Sequence, residues 1–286
     1  MIHFDKVTII GVGLIGGSLA RVLRDRGLAR EITGAGRSRE SLELGQRLGV
    51  LDRVGEGLKP AVEGADLVVL ASPVGAFEAA VREIASQLKK GAILTDVGSV
   101  KGALVRKIEE LLPAGVHYVP GHPIAGKEKF GVAEADASLF RGAKCILTPT
   151  EKTDAQALAA VREVWEAAGA TVLMMDPDLH DRIFGAVSHL PHVAAFAMIC
   201  AVAELSTGND DYMDYSGAGF RDFTRIAASS PEIWRDICLM NRENLIEMID
   251  RYQFALNRIK QELTAGDAAR LEKHLRLASE TRRGLG

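Results

Sequence analysis

The feature that most constrains this chain lies at its start. Val7-Thr8-Ile9-Ile10 is a β-branched run that passes directly into Gly11-Val12-Gly13-Leu14-Ile15-Gly16, a GxGxxG pattern, and residues 18–26 continue with helical composition. Strand, glycine turn and helix in that register make a dinucleotide phosphate site. The first glycine permits the tight turn, the second lets backbone approach a pyrophosphate, and the third lets the helix sit against the strand. The helix start then offers N–H groups and a positive dipole end to the phosphates. Gly11, Gly13, Leu14, Ile15 and Gly16 are therefore the first predicted cofactor-binding residues.

The rest of the first half suits an α/β fold. Short apolar runs at 6–10, 31–35, 67–70, 92–96, 117–120, 145–148 and 171–175 read as strands covered on both faces. Helical patterns at 18–26, 73–88, 100–112 and 153–168 lie between several of them, the last with Thr153 as N-cap and Gly169 as its stop. After Met175 no strand is expected. Residues 178–205 are helix-compatible, with a kink at Pro191. Ser230-Pro231-Glu232 is a helix start. Leu245, Ile249, Tyr252, Leu256, Ile259 and Leu263 then form one helix face, either packed internally or at a subunit interface. The predicted architecture is a Rossmann-type, mostly parallel sheet domain over 1–176, followed by an all-α domain over 177–286 that binds substrate and forms a homodimer.

Bulk properties narrow the functional classes. The formal charge is −3 and no more than two basic residues occur in succession, so a nucleic-acid partner is not expected. Cys145, Cys200 and Cys238 are too widely spaced for a disulfide or metal framework, and Cys145 and Cys200 read as buried thiols. No leader is evident and no apolar stretch reads as long enough to cross a bilayer, so a cytoplasmic protein with no membrane partner is expected.

The cofactor preference is read about 20 residues beyond the motif, where an acid normally holds the ribose of NAD. Gly36 stands there, followed by Arg37, Ser38 and Arg39. A cationic fork with a hydroxyl suits a 2′-phosphate, so NADP is expected to be preferred, with NAD possible.

Of seven histidines, His122 stands out, in Gly121-His122-Pro123-Ile124-Ala125-Gly126 after the strand at 117–120. Strand ends are where ligands bind in open α/β sheets, and imidazole is suited to remove a hydroxyl proton near neutral pH. His117 reads as structural, and His3 and His274 as solvated. Ser99, just after the strand ending at Asp96, can donate to a substrate hydroxyl or cap the next helix. Ser188-His189-Leu190-Pro191-His192 sets two histidines three apart without a third ligand, so no metal is expected. In Gly219-Phe220-Arg221-Asp222-Phe223-Thr224-Arg225 an arginine can clamp a carboxylate.

Together, Gly11–Gly16, Ser72-Pro73-Val74, residues 96–101, residues 121–129, residues 188–192 and residues 219–227 resemble, in order and spacing, the prephenate/arogenate (cyclohexadienyl) dehydrogenase family of tyrosine biosynthesis. The resemblance spans essentially the whole chain. It implies oxidative decarboxylation with hydride transfer to NAD(P). His122 matches the catalytic histidine at the ring C4 hydroxyl, and Ser99 the serine near that hydroxyl and the nicotinamide. Arg225 matches the substrate-carboxylate arginine, His192, Ser188 and Ser229 match pocket positions, and Glu128 and Asp222 match acids that shape access. Ser72, Pro73 and Asp96 are implied as further cofactor contacts. Lys127 stands where many relatives carry Thr, and Gly36 replaces the acid of NAD-preferring relatives. No chorismate-mutase or ACT segment is recognised, so tyrosine feedback is expected at the active site. Two other readings are a β-hydroxyacid dehydrogenase, which needs a lysine absent from residues 178–187, and a non-catalytic NADP sensor, which has no use for His122, Ser99 and Arg225 together.

Overall fold

A computed structural model describes residues 2–127, 129–206 and 211–285. Its contacts divide the chain into two units, Met1–Phe184 with Ala228–Asn241, and Gly185–Ala227 with Arg242–Gly286. A helix from the C-terminal half, Pro231–Met240, thus belongs to the first unit.

The first unit begins with β1 (Phe4–Ile10), α1 (Leu14–Asp25), β2 (Ala29–Ala35), α2 (Arg39–Arg47), β3 (Arg53–Val54), α3 (Leu58–Val62) and β4 (Leu67–Leu70). It continues with α4 (Phe77–Ile84), β5 (Ile93–Asp96), α5 (Gly102–Leu111) and β6 (His117–Val119). These six strands form one parallel sheet in the order β3-β2-β1-β4-β5-β6. The order reverses between β1 and β4, and the crevice at their carboxyl ends is where such sheets bind ligands. Alternate residues feed two cores: Leu67 and Val69 join the cluster around α1, while Val68 and Leu70 join the one around α4 and α5. This two-sided burial explains why the strands read as unbroken apolar runs.

A second sheet holds β7 (Gly121–Ile124), β8 (Lys144–Leu147) and β9 (Thr171–Met174), followed by α7 (Pro177–Phe184). Between β8 and β9 runs α6 (Ala155–Ala167). The strand β7 differs from expectation. Residues 121–124, outside every predicted strand, pair antiparallel with β8, setting His122 opposite Ile146. A glycine and a proline in four residues hide that strand from a propensity reading. The N-cap of α6 is Asp154, which accepts from the backbone N–H groups of Gln156 and Ala157, while Thr153 Oγ1 instead accepts from Thr150 N. Gly169, at φ +83°, ends that helix as expected.

In the second unit, a π-helical turn at Gly185–His189 leads into α8 (Leu190–Ala203). The turn marks the predicted irregularity: Pro191 has no N–H to return to the preceding turn, and the backbone widens just before it. The unit continues with α9 (Ala218–Thr224), α11 (Arg242–Ala265) and α12 (Ala268–Arg283), and α10 (Pro231–Met240) of the first unit has Ser230 as its cap and Pro231 in its first turn. Two expectations fail here. The helical run Pro177–Ala203 is 27 residues and by length and composition is apolar enough to cross a membrane, and only 11% of its apolar window is buried. Its histidines and proline break the pattern that a sequence scan follows. Cys200, on α8, is exposed rather than buried, while Cys145 is buried and its thiol is pushed far up by desolvation.

Candidate active site

The carboxyl ends of β1, β2 and β4 open onto a cleft of about 570 Å³, a size typical of small-ligand sites. Gly11, Gly13, Arg37, Ser38, Ser72 and Pro73, each expected from the sequence to touch a cofactor, line it together with Ser41, Leu58 and Glu83, which sequence reasoning did not single out. The three motif glycines have distinct roles. Gly11 sits at φ +99°, where a Cβ would stand 2.4 Å from Ser72 N; at Gly16 a Cβ would lie 2.3 Å from Gly11 O. At Gly13, the N-cap of α1, a Cβ would meet nothing within 4 Å, which leaves room for a phosphate. Ser72 Oγ is buried without a hydrogen-bond partner, a donor available to a ligand. These features fit a dinucleotide. Leu14 is buried and Ile15 packs on the core, so both support the turn. Around the predicted 2′-phosphate pocket, Ser38 caps α2 by accepting from Ser41 N, and Arg39 pairs with Glu43 at 2.8 Å. Arg37 carries no such pair among the described residues.

Behind β5 lies a buried polar network. Asp96 and Lys101 form an ion pair with both side chains at 0% exposure. Asp96 also accepts from Tyr118 OH at 2.7 Å and Gly98 N at 2.7 Å. Its carboxylate is thus fully committed inside the protein, and it shapes the loop carrying half-buried Ser99 rather than pointing at the cleft. Burial and the Asp96 charge together push the Tyr118 phenol well above its usual value. The backbone N–H of Lys101 donates to Asp181 Oδ1 at 2.7 Å, and the same oxygen lies 2.8 Å from His180 Nδ1. His180 Nε2 is in turn 2.8 Å from His122 Nδ1. His122, on β7, is half-buried, with the Phe184 ring 4.8 Å from its own.

In the second unit, His192 is half-buried on α8 and donates from Nδ1 to the Ser188 carbonyl at 3.0 Å. Burial holds its pKa below the imidazole norm, and the Arg225 charge pushes in the same direction. Arg225 and Asp222 are exposed on and just after α9, one turn apart. Ser229, by contrast, belongs to the first unit. Glu128 lies outside the described residues. Lys127 pairs with Asp136 at 2.8 Å. His274 is not simply solvated: it is bonded to Glu262, a buried carboxylate, at 2.9 Å.

Comparison with known proteins gives this arrangement its context. The family model for the prephenate dehydrogenase nucleotide-binding domain matches residues 19–174, and that for the prephenate dehydrogenase dimerization domain matches residues 176–277. The chain belongs to the prephenate dehydrogenase family. The cyclohexadienyl dehydrogenase of Zymomonas mobilis is 34% identical over 286 residues, covering 100% of this chain and 97% of the relative. A prephenate dehydrogenase from A. aeolicus, solved with hydroxyphenyl propionate and NAD+, superposes with a TM-score of 0.93 at 40% identity, covering 99% of this chain and 98% of that one. Synechocystis arogenate dehydrogenase gives a TM-score of 0.82 at 29% identity, covering 98% and 100%. The chain is accordingly an oxidoreductase with a Rossmann nucleotide-binding domain.

Within this prephenate dehydrogenase fold, His180, Asp181, Lys101 and Tyr118 are site-associated residues that sequence reasoning did not assign. The adjacent His180-Asp181 pair was the available signal. Its burial has a measurable consequence. Desolvation lowers the His180 and His192 pKa values from about 6.5, so the unfolded chain takes up these protons first as pH falls. Stability is therefore expected to decline below about pH 6.5 and to level off below the folded pKa values. Thermal unfolding at pH 7.5 and 5.5 should show a lower midpoint at the acid value, and His180→Gln should lessen the drop. An unchanged midpoint in the parent chain counts against neutral buried imidazoles.

Proposed function

We propose that this chain oxidises the ring C4 hydroxyl of prephenate, arogenate or both, with loss of the ring carboxylate as carbon dioxide, giving 4-hydroxyphenylpyruvate or tyrosine. The observation that carries this reading is His122, held through Nδ1 by a buried partner in the same unit as the dinucleotide cleft. Bound NAD(P) supplies the hydride acceptor. His122 takes the hydroxyl proton at Nε2, and Ser99 donates a hydrogen bond to the reacting oxygen. Aromatisation drives the reaction, so the protein's main task is orientation and charge placement. Arg225 takes a substrate carboxylate, His192, Ser188 and Ser229 contact the substrate, and Glu128 and Asp222 shape access. The functional boundary in this reading lies near residue 176, consistent with family matches that cover 19–174 and 176–277.

NADP is the preferred cofactor in this reading. Gly36 offers no carboxylate to repel a 2′-phosphate, and Arg37, Ser38 and Ser41 line the cleft beside it. Arg39, held by Glu43, contributes less than its position in the sequence implies. Steady-state rates with both substrates against both cofactors test the proposal. Turnover is expected with at least one substrate, with NADP the better acceptor. Arg37→Ala should raise the NADP KM about 10-fold, the order expected for losing one charge-assisted contact, and leave the NAD KM nearly unchanged. No turnover with either substrate would overturn the assignment, and equal effects on both cofactors would remove Arg37 from the 2′-phosphate site.

The chain acts as a cytoplasmic homodimer in this reading. The second family model describes a dimerization domain, and α8 is apolar on all sides yet has only Ala195 buried in the single chain. Tyr252, Leu256 and Leu263 on α11 are also exposed, at 36%, 48% and 62%. A second copy covering these surfaces satisfies them without a bilayer. Sedimentation without detergent should give twice the chain mass at micromolar concentration; a concentration-independent monomer would exclude this.

A further inference from the structure

We propose that His180 and Asp181 are positioning residues that hold His122 in the one tautomer able to accept the substrate's hydroxyl proton. The inference rests on His122 being the base. An ionised carboxylate only accepts hydrogen bonds, so at 2.8 Å Asp181 Oδ1 requires His180 Nδ1 to carry the proton. A neutral His180 then presents a lone pair at Nε2. The 2.8 Å contact to His122 Nδ1 is satisfied only if that nitrogen carries its own proton and donates it. The lone pair of His122 is thereby left on Nε2. Reversing either proton would set two lone pairs, or two N–H groups, against each other.

Burial makes this arrangement decisive. His180 has 0% exposure, so no water is available to rescue a mismatched tautomer. Phe184 packs on both rings, with centroids 4.8 Å from His122 and 4.5 Å from His180. Asp181 is fixed at three further points: Lys101 N donates to its Oδ1, Asn241 Nδ2 donates to its carbonyl at 2.8 Å, and Gly102 leaves space for its carboxylate at the start of α5. Desolvation lowers the His180 pKa, with the Lys101 charge acting in the same direction and Asp181 and Asp96 opposing it. His180 therefore stays neutral and relays orientation, not charge. Other ionisable groups near the pair are Tyr118 on β6 and the Cys145 thiol on β8, both kept protonated by burial, and, beside Asp181, the Asp178 carboxylate paired with Arg106 at 3.0 Å. When His122 becomes an imidazolium, Asp181 is the nearby anion whose charge is not already matched by a lysine or arginine ion pair, Asp96 being held by Lys101 and Asp178 by Arg106.

The test compares two replacements of similar size in the full-length protein. His180→Asn keeps an amide near Nδ1, facing Asp181, but does not reach His122. His180→Gln reaches the Nε2 position and offers Oε1 to the His122 Nδ1–H. The Asn variant should lose about 100-fold in kcat, within the range for general-base catalysis, with substrate KM and NADP binding within about 2-fold of the parent. The Gln variant should recover to within about 10-fold of the parent. Asp181→Asn keeps an acceptor oxygen but removes the charge, so the acid limb of kcat/KM should move to lower pH as the imidazolium loses support. If the Asn and Gln variants lose activity equally and in step with their thermal unfolding, or if Asp181→Asn leaves the acid limb in place, the inference is overturned. His122→Asn serves as the reference. If it abolishes turnover while His180→Asn does not, only the positioning role falls; if it leaves turnover intact, the base assignment itself falls.

Discussion

Replacing His122 with Asn is expected to lower kcat by roughly 10³-fold, the middle of the range for losing a general base. The substitution is chosen to leave the structure alone. Residue 122 pairs with Ile146 through its backbone, which Asn preserves. The Asn Nδ2 lies near the former Nδ1 and still donates to His180 Nε2, so the buried partner is not orphaned. Only Nε2 is removed, and with it the group positioned to accept the hydroxyl proton. The dinucleotide cleft is lined by residues after β1, β2 and β4 and does not include His122, so the NADP Kd should stay within about 2-fold. Steady-state turnover and the displacement of fluorescent NADPH by NADP measure the two quantities. Unchanged kcat would remove His122 as the base, whereas parallel loss of turnover and cofactor binding would indicate misfolding.

The largest expected effect on stability is that of Asp96→Asn. Lys101 and Asp96 are both completely buried, and the substitution leaves an ammonium with no counter-charge at 0% exposure. Breaking a buried pair from one side costs about 3–5 kcal/mol, because the remaining charge keeps its desolvation penalty and loses its attraction. For a unit of this size that corresponds to a fall of about 10 °C in Tm. The contacts with Gly98 N and Tyr118 OH can be kept by the Asn amide, so the loss isolates the charge. Adding Lys101→Met should restore most of the stability, since an apolar side chain of similar length has no charge to strand. Thermal unfolding of the single and double variants measures this. A single variant as stable as its parent would mean that Lys101 is not held there as a cation. The network also underlies the catalytic side, since Lys101 donates its backbone N–H to Asp181.

Much of the nucleotide-binding half is legible in the sequence because its determinants are local. The turn at Gly11–Gly16 requires a positive φ, an open phosphate position and a close helix approach within six consecutive residues, and each requirement is met by a missing Cβ. Strands buried on both faces appear as apolar runs for the same short-range reason, as does the helix start at Ser230-Pro231. His122 could be singled out because its surrounding segment is distinctive. The tertiary structure alone decides how that histidine is held. His180 is 58 residues from it in sequence, Lys101 is 80 residues from Asp181, and Asn241 is 60 from Asp181. No periodicity or local propensity encodes such meetings. They depend on β7 pairing antiparallel with β8, which the composition of 121–124 conceals, and on α7 burying an adjacent His-Asp pair. The same distinction applies to Asp96 and Arg39. Both have residue types suited to a ligand, and packing turned one inward to Lys101 and paired the other with Glu43. Residue type shows what chemistry a side chain can perform; burial and long-range partners determine which of it remains available.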